Sequence, residues 1–314
     1  MNLEPTGEQR ELRATVRRFL GEHASVAGHV RPWIDGVRSP DVWHGLAELG
    51  ATGLLVAEEF GGTGLSMTDA VIVAEETGAA LLPEPWLSSA VAAPRAVHRF
   101  DAELASADLL RGIADGAITA AVMLGDTPVD ADVVLSTAPH PDGEALYRGE
   151  ELLGTAPSGA VAALTDDVFI ATAADALGAA QRLLDTVVEY AKKRTQFGQP
   201  IGGFQSVAHL CVDMFETVEL TRSGVLHAAW AADEGDAEER HVAAWRLKAF
   251  ASRLASVGDI AVQLFGGIGF TWEHDTHLYL RRLLSWSSLL GGSDPYLEEV
   301  GDLFVKSVVG NAYS

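Results

Sequence analysis

Helical periodicity dominates the chain from about residue 171 onward and leaves room for little except a bundle of long helices. Leu177, Leu183, Leu184, Val187, Val188 and Ala191 line one face of a helix that ends near Lys192–Arg194. A second run begins near Phe204 and carries Val207, Leu210, Cys211, Met214, Phe215, Val218 and Val225. Leu247, Phe250, Leu254, Val257, Ala261 and Leu264 form a third, alternating by threes and fours as packed helices do. Asp236 and Glu239 make a capping box at its start, within an acidic turn. Residues 171–314 are therefore expected to form a C-terminal helical bundle.

The rest of the chain divides in two. Residues 1–117 read as a helical domain, with Leu12, Val16, Phe19 and Leu20 at helical spacing and Thr68–Asp69 opening a helix that Gly78 closes. Between 118 and 170 the pattern changes to short apolar runs broken by Pro, Gly and Asp. Ile118–Leu124, Asp132–Thr137, Glu144–Arg148 and Val161–Leu164 are expected as short strands of a reduced β segment, too few and too brief for an independent barrel. The fold class is thus mainly α.

Charge excludes several roles. Acidic residues outnumber basic ones by 44 to 22, giving a net charge of −22. Nucleic acid and anionic membrane surfaces both need clustered cations, so neither is an expected partner. A single cysteine, Cys211, forms no intramolecular disulfide, and its apolar helical position reads as an inert core thiol. The polar start MNLEPTGEQR lacks a secretory pattern, so the expected location is the cytoplasm.

Two segments interrupt the bundle with polar residues and glycines. Lys192–Ser206 (KKRTQFGQPIGGFQS) ends a helix in three cations, crosses a Gly/Pro turn and restarts a helix at Phe204–Gln205. Cations at a helix C-terminus complement its dipole. In a chain with only four lysines, however, Arg194 and the amide of Gln205 also suit a phosphate-bearing ligand. Gln263–His277 (QLFGGIGFTWEHDTH) puts three glycines after a long helix, where a simple C-cap needs one. Close approach of the backbone to a ligand or another chain explains them better. Glu273–His277 offers two histidines at i,i+3 with no further ligand at suitable spacing, so no metal is expected. Ser285, Ser287 and Ser288 lack a His–Asp arrangement for nucleophilic catalysis.

RTQFGQPIGGFQ, QLFGGIGF and the N-terminal EEFGGTGLS together resemble the acyl-CoA dehydrogenase family in order, spacing and position. The resemblance implies an N-terminal helical domain, a middle β-domain and a C-terminal four-helix bundle, with FAD extended across a subunit interface. It also implies that Arg194, Gln196, Phe197 and Gln205 hold the FAD adenosine and pyrophosphate, with Gln263, Gly266 and Gly267 contacting the same cofactor.

The departures from the family are equally informative. The middle region is too short to wall a flavin ring. The family's catalytic glutamate falls at Leu290, and an alternative base position in the first bundle helix falls at Val168. Leucine and valine have no proton affinity, so no catalytic residue is assigned; Asp166, Asp167 and Asp294 are the nearby acids. Heteromeric family members from actinobacteria pair a full-length subunit with a shortened, base-less one in a heterotetramer and dehydrogenate bulky thioesters such as sterol side-chain CoA esters. The chain resembles the shortened subunit. That implies a full-length acyl-CoA dehydrogenase subunit as partner, acyl-CoA bound mainly there, and an electron-transfer flavoprotein as electron acceptor. A flavin-free assembly subunit and an autonomous homomeric enzyme with an Asp base stay open.

Overall fold

The structure, a computed structural model, describes residues 4–124 and 131–312, with side chains to 306. The N-terminal part is helical: α1 (Gly7–His23), α2 (Arg31–Ile34), α3 (Asp41–Glu48), α4 (Met67–Ala79), α5 (Ala93–Arg99) and α6 (Ala107–Ala114). Thr6 and Gln9 close a reciprocal capping box that satisfies two orphan amides at the start of α1. Ser66 and Asp69 do the same for α4, one position earlier than Thr68–Asp69 had implied. Asp233, far along the chain, accepts from the Met67 and Thr68 amides at 2.9 Å, so the bundle itself helps to cap α4. The segments Val26–Val30 and Leu87–Ala92 are π-helical.

A four-stranded sheet follows: β1 (Ala120–Val122), β2 (Val133–His140), β3 (Gly143–Arg148) and β4 (Glu151–Ala156), in that spatial order. β1 runs parallel to β2, and the other pairs are antiparallel, with Thr137 opposite Leu146. Leu135, Leu146 and Leu153 point inward onto a separate small core shared with Val97, Phe100, Leu109 and Ile113. The expected strand at Val161–Leu164 is instead helical, because α7 (Ala160–Lys193) begins at Ala160 rather than near 171. Its first turn is rich in alanine, and the Glu144 carboxylate accepts from the Val161 amide at 2.8 Å, capping the start.

The bundle is built from α7, α8 (Gln205–Glu234), α9 (Ala237–Phe265), α10 (Thr276–Ser288) and α11 (Asp294–Ala312). A short hairpin, β5 (Thr195–Gln196) and β6 (Gln199–Pro200), links the first two helices. The large core runs without a break from Leu20, Leu46 and Val73 through Leu177 and Leu183 to Val218, Leu254 and Trp286. N-terminal helices and bundle therefore share one interior. No helix among the described residues is long and apolar enough to cross a membrane.

Candidate functional site

The interrupted segment after α7 forms a tight hairpin. Phe197 (φ 50°) and Gly198 (φ 80°) occupy its two-residue turn, both left-handed as a type I′ turn requires. Glycine fits there freely; phenylalanine carries a penalty of about 1–2 kcal/mol. The turn leaves Phe197 94% exposed, edge-on to Phe204 at a centroid distance of 6.1 Å. Lys192 and Lys193 both pair with Glu189, at 3.0 and 3.4 Å. Arg194, the C-cap of α7, uses its backbone to hold the hairpin, its carbonyl accepting from the Ile201 amide at 2.8 Å. Its guanidinium is exposed and enters no ion pair among the described residues. Gln196 and Gln205 are exposed beside it, with Gln205 Nε2 3.4 Å from His209.

The glycine segment ends α9 on the same face of the bundle. Tyr190 and Phe265 pack with tilted rings at 5.0 Å and bring the end of α7 to the end of α9. Gly266 adopts φ 65°, ψ −141°, a region open only to glycine. Gly269 is held close to Val262 and Phe265 by packing, whereas a methyl group on Gly267 would meet nothing within 4 Å. Packing among the described residues gives no reason for glycine at 267. Gln263 is exposed one turn before it, and Ile268, Phe270 and Trp272 also face solvent. Hence all seven sequence-derived candidates lie at one end of the bundle, on its surface. The histidines beyond are engaged elsewhere: His274 packs on Phe265 at 4.3 Å and bonds to Thr276, and His277 Nδ1 donates to the His274 carbonyl.

A cavity of about 310 Å³ lies near the other end of α7, between Leu87 and Ser88, Val122 and Leu124 of the sheet region, and α10. Val168, Ala171, Thr172 and Asp175 line it from successive turns of α7, and Trp286 of α10 and its C-cap Leu289 line the other side. Leu290 follows in a left-handed conformation, its carbonyl accepting from the Tyr296 hydroxyl at 2.8 Å. The sequence missed Asp175, the cavity's one carboxylate among the described residues. Its oxygens take Nε and Nη2 of Arg282 at 2.6 and 2.8 Å, so it is neutralised where it stands. No local motif marks that pair, since its members are 107 residues apart.

None of the three acids weighed as bases lines this cavity. Asp166 is buried against His241 at 3.0 Å; burial pushes its carboxyl up, opposed by His241 and Arg240. Asp167 accepts bidentate bonds from both Arg95 and Arg99 at 2.9–3.1 Å. Asp294 is exposed in the first turn of α11, where it complements the helix dipole. Burial raises the Cys211 thiol, which makes it less reactive.

Comparison with known proteins agrees with this architecture. Residues 6–117 match the acyl-CoA dehydrogenase N-terminal domain and residues 170–300 the acyl-CoA dehydrogenase C-terminal domain. The acyl-CoA dehydrogenase IpdE2 of Mycobacterium tuberculosis is 34% identical over 314 residues, covering 92% of this chain and 94% of that protein. FadE34 of the same organism is 33% identical across 94% of this chain, which spans 48% of FadE34. Among solved structures, a variant of the Tcur3481–Tcur3483 steroid ACAD superposes with a TM-score of 0.84 at 25% identity, covering 96% of this chain and 99% of that one. The ChsE4–ChsE5 complex from M. tuberculosis shares the fold, with a TM-score of 0.85 at 21% identity over 98% of this chain and 99% of that one. The chain belongs to the acyl-CoA dehydrogenase family of FAD-dependent oxidoreductases.

Proposed function

We propose that this chain is the shorter subunit of a heteromeric acyl-CoA dehydrogenase and holds the adenosine–pyrophosphate end of an FAD whose ring lies on a longer partner. The observation that carries this reading is Phe197, kept in water on a strained turn beside the unpaired guanidinium of Arg194. Nothing among the described residues rewards that arrangement, whereas a nucleotide would. Arg194 offers charge to the pyrophosphate and Phe197 a face to the adenine. Gly266 and Gly267 allow close backbone approach, and the exposed amides of Gln196, Gln205 and Gln263 at the same end of the bundle can hydrogen-bond to the nucleotide. Bound FAD supplies the two-electron acceptor for α,β-dehydrogenation of the thioester.

The cavity supports the division of labour. Removing a proton α to a thioester needs an unpaired carboxylate over it. Val168 is aliphatic, Leu290 replaces the expected glutamate, and Asp175 is tied to Arg282. On this reading the partner brings the base, the CoA pocket and the route to an electron-transfer flavoprotein. A net charge of −22 also suits a chain that leaves CoA, a polyanion, to its partner. The Tcur3481–Tcur3483 protein, named for two components and for steroid chemistry, supports a heteromer acting on sterol side-chain thioesters. Such an assembly works in the cytoplasm.

The test is to produce the chain alone and together with a full-length partner, then measure size and flavin absorbance. Flavin and dehydrogenase activity are expected only in the complex, with both reduced by Arg194→Ala. Full flavin occupancy and turnover by the lone chain would overturn the proposal; an Arg194→Ala complex with unchanged flavin would favour a flavin-free assembly subunit.

A further inference from the structure

The glycine segment is braced from the opposite end of the sequence. Arg31 opens α2, and both its Nη2 and Nε contact Asp275 Oδ1, at 2.7 and 3.2 Å. The same guanidinium lies over the Trp272 ring, 5.6 Å from its centroid, and Arg281 approaches that ring at 5.8 Å. His277 packs against Trp272 at 4.7 Å. Trp272 and Asp275, five and eight residues beyond Gly267, are thus contacted from outside their own loop.

Arg31 is itself aimed by a buried device. It follows the π-helical turn Val26–Val30, and His29 in that turn bonds Glu84 at 2.6 Å with both side chains almost fully buried. Burial pushes the Glu84 carboxyl above its ordinary range, against the pull of His29. The π-turn therefore has a fixed anchor, and the next residue projects across to the loop after α9.

We propose that Arg31 is a positioning residue for the glycine segment: by holding Trp272 and Asp275 it keeps Gly266 and Gly267 in the conformation that receives the cofactor. The inference rests on the reading that this segment contacts FAD. It adds a dependence that the segment's own sequence does not contain, since Arg31 lies 244 residues from Asp275.

The test uses the assembled complex with its partner subunit and FAD as probe, measuring flavin dissociation, turnover at saturating FAD, and thermal midpoint. Arg31→Gln is expected to weaken FAD binding about three- to tenfold, the range of one exposed ion pair plus one cation–π contact. Turnover at saturating FAD stays unchanged, Trp272→Ala gives a similar loss, and the double variant is no worse than either single. Arg31→Lys restores part of the affinity, because it keeps the charge but not the planar fork. A lowered thermal midpoint with unchanged FAD affinity in Arg31→Gln would make the contact merely structural and overturn the inference. Gly266→Ala separates the two layers: if it too leaves FAD affinity intact, the underlying reading fails. If Gly266→Ala weakens binding and Arg31→Gln does not, only the inference about Arg31 fails.

Discussion

Gly78 on α4 and Gly178 on α7 lie at a backbone-to-backbone crossing: a methyl group on Gly78 would overlap the Asp175 carbonyl, and one on Gly178 would overlap the Glu75 carbonyl. The N-terminal helices and the bundle are joined at this seam without side chains between them. Around it the seam is charged. Glu75 pairs with Arg13 and Arg222, and Glu76 pairs with Arg17.

Gly178→Ala is therefore expected to destabilise the chain by about 3 kcal/mol, the upper end for overpacking a tight contact, because backbone rather than a flexible side chain blocks the methyl. Gly78→Ala should cost a similar amount. Once the helices have parted, the second substitution is cheaper, so the double variant should fall short of the sum. Urea midpoints of the three variants check this.

Phe197→Asn should separate stability from ligand binding. It installs the Asn-Gly pair that type I′ turns favour and removes a side chain with almost no packing. A gain of roughly 1 kcal/mol in stability is expected, together with weaker flavin retention in the complex. If the variant retained flavin fully, Phe197 would not be a nucleotide contact.

Lys248 gives a pH signature. Its Nζ donates to the Trp286 and Ser287 carbonyls at 2.8 and 3.0 Å and lies 4.7 Å from the Trp286 ring centre, with no ion pair to an acid among the described residues. Burial lowers its pKa from 10.5 to about 8. Above 8 the folded chain releases this proton, while the unfolded chain keeps it to about 10.4. The unfolded state then binds more protons, so this group's contribution to stability rises with pH across that window. Denaturant midpoints for the natural chain and for Lys248→Met, followed through the window, should show the difference shifting in favour of the natural chain.

Asp167→Asn should cost about 3–5 kcal/mol, the range for removing one partner of a buried ion pair. The carboxylate is wholly buried, and two guanidinium groups converge on it from α5. An amide keeps the volume but leaves both cations without their counter-charge. Calorimetry of Asp167→Asn beside the exposed control Asp294→Asn would isolate the effect.

Local signals carried much of this structure into the sequence. Leu183, Val187, Leu254 and Val257 repeat at helical spacing and are buried in the bundle as that spacing demands. Val161–Leu164 misled because a short apolar run bounded by Pro and Gly looks alike in a strand and in the first turn of a helix. β4 was missed because Glu151, Gly154 and Thr155 dilute its pattern. Arg194, Gln205 and the glycines stood out from their local pattern, but the full set of seven candidates was legible only through the joint resemblance of three motifs. The strained turn under Phe197 was not, since phenylalanine violates the residue preference that announces such turns. Asp175–Arg282 and Arg31–Asp275 were invisible for a different reason: each joins residues that no local window contains.

The length of α7 acts as a ruler. At 34 residues it extends about 51 Å. Val168, at the cavity, sits near its start, and Arg194 caps its far end. Roughly 39 Å of stiff helix separate them. Whatever meets the hairpin and whatever enters the cavity are therefore kept apart by the dimensions of one helix.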